Sequence, residues 1–103
     1  MYKVRFLFDY CARSCIWGCE GEGLLPLDIF PIPDELFKRL ENMCDEFDTI
    51  LNWDDPASGY VWTDEQIEDF RARAEQAYAE YVAAVAGKCE VENWINRCLG
   101  IKD

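Results

Sequence analysis

Two apolar stripes at helical spacing constrain this chain more than anything else in it. Leu36, Phe37, Leu40, Met43, Cys44, Phe47, Ile50 and Leu51 recur at intervals of three and four, which puts them on one face of a helix. Ile67, Phe70, Ala74, Ala77, Tyr78, Tyr81, Val82 and Val85 repeat the pattern further on. Proline is tolerated in a first turn and acids suit the positive end of a helix dipole, so Pro33, Asp34 and Glu35 open the first helix. Its stripe predicts a helix over 33–52, ended by Asn52 or Trp53. The second start is sharper. Thr63 is a capping residue with Gln66 three positions on, and Trp62 stands ready to staple onto Ile67. With Gly87 as a left-handed terminator, this helix is predicted over 64–86. Two such helices joined by about ten residues pack as an antiparallel pair.

Tyr2, Val4, Phe6, Phe8 and Tyr10 alternate with Lys3, Arg5, Leu7 and Asp9, the period of a strand with one apolar face. Cys15–Trp17 supplies a short second strand, giving a hairpin element over 2–18 before Gly18, Gly21 and Gly23 break regular structure. Leu24 to Pro33, with Pro26 and Pro31, reads as an extended connection. The C-terminal element at 88–99 is open to two readings: Val91, Trp94, Ile95, Cys98 and Leu99 fit a short helix closed by Gly100, while Lys88–Glu92 also fits a strand. The helix is the expectation. At 103 residues these elements make one domain, an α+β fold in which a small sheet led by the N-terminal strand packs on the helical hairpin. No apolar run approaches the roughly 18 residues that span a bilayer, and the N-terminus alternates where a signal peptide is continuously apolar. A cytoplasmic protein without membrane contact is expected.

Charge points to function. The net charge is −11 with no histidine, and the 29 residues from Glu41 to Asp69 carry ten carboxylates without one Lys or Arg. Such a field repels a phosphate backbone, which excludes direct nucleic-acid binding. It asks for a positively charged partner or serves solubility alone. Because the first helix ends where the second begins, Asp45, Asp48, Asp54, Asp55, Asp64, Glu65 and Glu68 converge at one end of the hairpin. Trp53, Tyr60 and Trp62 lie among them. Carboxylates steer a basic surface and aromatics supply buried area. Trp53 and Trp62 also suit core packing, so Tyr60 is the aromatic expected to touch a partner.

Other chemistries have less support. Cys11, Cys15 and Cys19 are spaced as metal ligands are, yet structural zinc sites usually pair two cysteines with a second such pair. Cys44, Cys89 and Cys98 are isolated, so metal is not expected and the thiols read as small core residues. Asp54, Ser58, Gly59, Val61 and Glu65 fall at calcium-loop positions, but Pro56 occupies the second ligand position. The alternative there is a turn on Asp55, Pro56 and Gly59. Without histidine, and with no base beside Ser14 or Ser58, catalysis lacks its usual groups. A carboxylate pair of the glycosidase kind is available in the acidic run, but its members fall on polar helix faces. A binding protein is expected, without catalytic residues or cofactor.

Leu24-Leu25-Pro26, Pro33-Asp34-Glu35-Leu36 and above all Phe47-Asp48-Thr49-Ile50-Leu51-Asn52-Trp53-Asp54-Asp55-Pro56, leading to Trp62-Thr63-Asp64-Glu65-Gln66, resemble small acidic bacterial proteins. These are the immunity proteins of contact-dependent growth inhibition and related polymorphic toxin systems. The similarity spans residues 2 to 92. It implies a cytoplasmic antidote that binds and neutralises a cognate toxin domain, often a nuclease and therefore basic. Two alternatives stand beside it: an acidic nucleic-acid mimic that occupies a DNA-binding protein, and a cysteine-ligated metal protein.

Overall fold

A four-stranded sheet in the order β3-β2-β1-β4 forms one layer of the fold, and two helices supply the other. The computed structural model describes residues 2–51, 54–55 and 59–101. Strand β1 (Tyr2–Phe6) pairs antiparallel with β2 (Ile16–Gly18), Val4 opposite Gly18 and Phe6 opposite Ile16. The expected hairpin is therefore present, and the amide of Leu7 extends it by donating to the Cys15 carbonyl at 3.0 Å. Strand β1 itself ends at Phe6, four residues before the predicted strand end at Tyr10. Asp9 turns its carboxylate back to the Tyr10 amide at 2.8 Å, and Cys11 takes a left-handed φ of 57°. The apolar face nonetheless continues, since Val4, Phe6 and Phe8 are all buried.

Leu24–Leu25, expected as plain connection, pairs with β2 as β3. Helix α1 (Asp34–Phe47) begins where Pro33 predicts, and buries Leu36, Leu40, Met43, Cys44 and Phe47. It is shorter than the predicted 33–52. From Asp48 to Ile50 the chain tightens into a 3₁₀ turn. Local bonds divert it: Thr49 Oγ1 donates to the Glu46 carbonyl at 2.7 Å, and the Ile50 carbonyl accepts from the Val61 amide at 2.7 Å. Leu51 is extended and bridges to Tyr60. The expected stop at Asn52 or Trp53, and the Pro56 and Ser58 positions of the calcium-loop reading, lie outside the described residues.

Helix α2 (Asp64–Ala84) opens on the complete capping box. The Thr63 amide donates to Gln66 Oε1 at 2.8 Å and the Gln66 amide to Thr63 Oγ1 at 3.2 Å. It ends two residues before the predicted Ala86, with Gly87 left-handed at φ 80°. The two helices run antiparallel, because Arg39 of α1 meets Glu80 of α2 at 2.7 Å while Glu46, one helical stretch later, meets Arg73. Between helices and sheet lies an aromatic core: Phe6 packs on Tyr78 and Tyr81, and Phe8 packs edge-on against Phe70 at 5.0 Å.

The C-terminal element realises both readings in succession, a strand where Lys88–Glu92 fits one and a short helix after it, so the expected helix is present but confined to the end of the segment. Cys89–Asn93 is strand β4, parallel to β1 with Tyr2 opposite Cys89 and Phe6 opposite Asn93. Helix α3 spans only Ile95–Cys98. Pairing decides this segment: it alternates Cys89 inward with Glu90 outward, and Glu90 and Glu92 reach Lys3 and Arg5 across the ladder at 3.6 and 3.5 Å. A parallel pair needs a long crossover, and the two helices provide it.

Candidate functional site

The acidic run is gathered at the end of the hairpin where α1 stops and α2 begins. Asp45 is exposed on α1, Asp54 and Asp55 are exposed beyond Leu51, and Asp64 and Glu65 are exposed in the first turn of α2. Negative charge in that turn complements the helix dipole. Glu65 also lines a cleft of about 360 Å³ with Glu46, Asp69, Arg73, Trp62 and Gln66. Its aromatic wall is fixed: Trp62 packs on Phe70 and Phe47 with ring centroids at 5.1 and 6.3 Å, while its Nε1 donates to Thr49 Oγ1 at 2.9 Å. Trp62 is thus a half-buried core contact with one polar edge at the cleft.

The patch is less purely acidic than the sequence run implies. Arg73, four residues beyond that run, donates from Nη1 to Glu46 Oε1 at 2.8 Å, from Nη2 to Glu46 Oε2 at 2.5 Å and from Nε to Asp69 Oδ2 at 3.0 Å. The bonds to Glu46 first, then those to Asp69, raise the guanidinium pKa further above its already high value. Glu68 pairs with Arg71 at 3.5 Å. Asp48 is half-buried, and its Oδ1 accepts the Cys11 amide at 2.8 Å, so it anchors the 9–11 turn. Of the carboxylates singled out from sequence, Asp45, Asp54, Asp55, Asp64 and Glu65 are exposed. The i,i+4 spacing of Asp69 and Arg73 was a local signal for this neutralisation.

Tyr60 is 38% exposed. Its hydroxyl donates to the Cys98 carbonyl at 2.9 Å, and its ring meets Tyr10 edge-on at 6.4 Å. Burial of the hydroxyl end, then Tyr10 beside it, raises its pKa well above the usual phenol value. Tyr60 forms one wall of a second cleft of about 330 Å³, with Tyr10, Phe47, Trp94 and Arg97 among the other lining residues. The Trp94 and Arg97 part of this cleft escaped sequence reasoning. Position 94 is joined to Tyr60 only by the tertiary fold.

The three N-terminal cysteines go to three different surroundings. Cys11 is exposed, Cys15 is fully buried in the core, and Cys19 is half-buried, its Sγ donating to Glu92 Oε1 at 3.3 Å. Burial first, and the neighbouring Cys44 next, push the Cys15 thiol well up. Among the described residues no group of three or more Cys, Asp or Glu is placed to hold a metal ion. No helix is long and apolar enough to cross a membrane among those residues.

Residues 2–95 match the model of a family described as Serratia CdiI immunity protein-like. A comparison with curated proteins gave no match.

Proposed function

The chain belongs to the CdiI immunity protein family, whose members neutralise the toxin of a contact-dependent growth inhibition system, and from that premise we propose that its acidic end captures a basic cognate toxin domain, a nuclease. A nuclease holds a phosphate backbone and needs a cationic surface to do so. An acidic surface flanked by aromatics complements it. The observation that carries this reading is the exposure of Asp54, Asp55, Asp64 and Glu65 between the end of α1 and the first turn of α2, with Glu65 and Trp62 lining one cleft. Asp45 extends the surface along α1, and Glu68 sits at its rim tied to Arg71. Asp48 contributes by holding the turn that leads into Cys11.

Binding alone accounts for neutralisation in this scheme, and none of these residues takes a catalytic role. Long-range attraction raises association rates by about ten- to a thousand-fold, an advantage for an antidote that must intercept an incoming toxin in the cytoplasm. The test is growth of cells expressing the toxin domain encoded immediately upstream, with this protein or an unrelated acidic protein supplied in trans. Rescue by this protein alone is expected. Equal rescue by the unrelated protein would reduce the mechanism to bulk charge, and absence of rescue would remove the reading.

A further inference from the structure

Trp94 carries two guanidiniums, Arg5 at 4.4 Å and Arg97 at 4.3 Å from the ring centroid. Arg5 is balanced by Glu92 at 3.5 Å. Arg97 is not balanced among the described residues: it is exposed and forms no ion pair with any of them, although it lies in a chain of net charge −11. Among the described residues Arg13, Lys38 and Lys88 also form no ion pair, but of these four only Arg97 is held on an aromatic ring there. Stacking uses the flat face of a guanidinium and leaves its in-plane N–H donors free in a fixed fork, the geometry that receives a carboxylate on two parallel hydrogen bonds.

Arg97 lines the cleft walled by Tyr10, Tyr60 and Trp94. We infer that this cleft receives an aspartate or glutamate side chain of the toxin, its carboxylate on Arg97 and its stem against the two tyrosines. The inference rests on the proposed toxin-binding role and deepens it. The acidic end supplies attraction that any basic protein would feel. One inverted pair at Arg97 demands a carboxylate at one place on the partner, so it discriminates a cognate toxin from another of similar charge. A phosphate-bearing polymer is not the occupant, because its many charges meet the repulsion of the whole chain, whereas a single carboxylate on a basic partner does not.

The sign of a charge change tests this. Binding of the upstream-encoded toxin domain is measured for the full chain and for Arg97→Gln, Arg97→Glu and Lys88→Gln, each checked for native circular dichroism. If Arg97 merely faces a basic surface, removing its charge strengthens binding. If it holds a toxin carboxylate, Arg97→Gln weakens binding by about 30-fold or more, Arg97→Glu weakens it further, and the change falls on dissociation. Lys88→Gln leaves affinity within about twofold in that case. Wild-type binding with equal or tighter binding by Arg97→Glu overturns the inference while leaving the toxin-binding role intact. No wild-type binding removes both.

Discussion

Arg73 of α2 grips Glu46 of α1 with both arms of its guanidinium, at 2.8 and 2.5 Å, while its Nε holds Asp69 on its own helix. The contact locks the helices together at the acidic end and cancels part of the charge there. Both side chains are about 40% exposed, at 43% and 39%, so solvent screens the attraction.

A double-mutant cycle with Arg73→Gln and Glu46→Gln is therefore expected to show a coupling of only about 0.5–1 kcal/mol, shrinking in 1 M salt. Urea unfolding of the four proteins measures it. A coupling several times larger would mean that the pair behaves as a buried one.

Charge reversal at the displayed acids acts on encounter more than on folding. Asp54→Lys combined with Glu65→Lys is expected to slow association with the toxin domain by about tenfold or more at low salt, the difference closing as salt rises. Stopped-flow association rates at two ionic strengths check this. An unchanged low-salt rate would place the contact surface elsewhere.

Local chemistry was the part of this fold that the sequence made legible. The capping box needs only Thr63 and Gln66, three positions apart, and both of its bonds form. The apolar stripes needed only periodicity, and Leu40, Phe47, Phe70 and Tyr81 are buried as their spacing requires. Local pattern left the outcome open, or ran too long, where distant chain decides. Cys89–Asn93 is a strand because β1 lies beside it, 87 positions away in the pairing of Tyr2 with Cys89. The end of α1 depends on a carbonyl claimed by Val61. At the acidic end the run of carboxylates was plain, but its partial neutralisation came from Arg73, just outside the run. Arg97 and Trp94 gave no local pattern that joined them to Tyr60.

The cap at Thr63 should be worth what its two bonds suggest. Thr63→Ala is expected to cost about 1 kcal/mol, and Thr63→Ser most of an order less, because serine keeps the acceptor for the Gln66 amide. Thermal melts of the two variants would separate the hydroxyl from the methyl group.

Buried thiols set the alkaline limit. Burial pushes Cys98 up to about 11 and raises Cys89 as well, whereas unfolded thiols ionise near about 8.5. Above that pH the unfolded chain releases protons that the folded chain still holds, so stability is retained below about 8.5 and declines toward 11, by up to about 1.4 kcal/mol per pH unit per thiol. Urea midpoints at pH 7, 9 and 10 under reducing conditions should fall in that order. Cys98→Ser keeps a donor for the Ile95 carbonyl, which accepts from Sγ at 3.1 Å, and removes the titration. It should flatten the decline.

Tyr81 presents the opposite case, a polar group whose removal should help. Its side chain is wholly buried in the core against Phe6, and its hydroxyl has no hydrogen-bond partner among the described residues. Burial raises its pKa far above the usual phenol value, with Cys89 and Cys15 adding to the effect. A buried hydroxyl without a partner costs about 1–3 kcal/mol of lost hydration, while the ring contributes its packing with or without the oxygen. Tyr81→Phe keeps the ring and its contact with Phe6, and leaves a void no larger than one oxygen atom. The gain from abolishing the orphan hydroxyl then exceeds the small loss of packing, and the melting temperature should rise by several degrees, as about 1 kcal/mol does in a domain of this size. Toxin binding should be unchanged, because the residue lies inside the core. A variant less stable than wild type would mean that the hydroxyl is satisfied in solution, and the same melt carried out on Tyr78→Phe gives the scale for that outcome, since Tyr78 donates to the Val91 carbonyl at 2.9 Å.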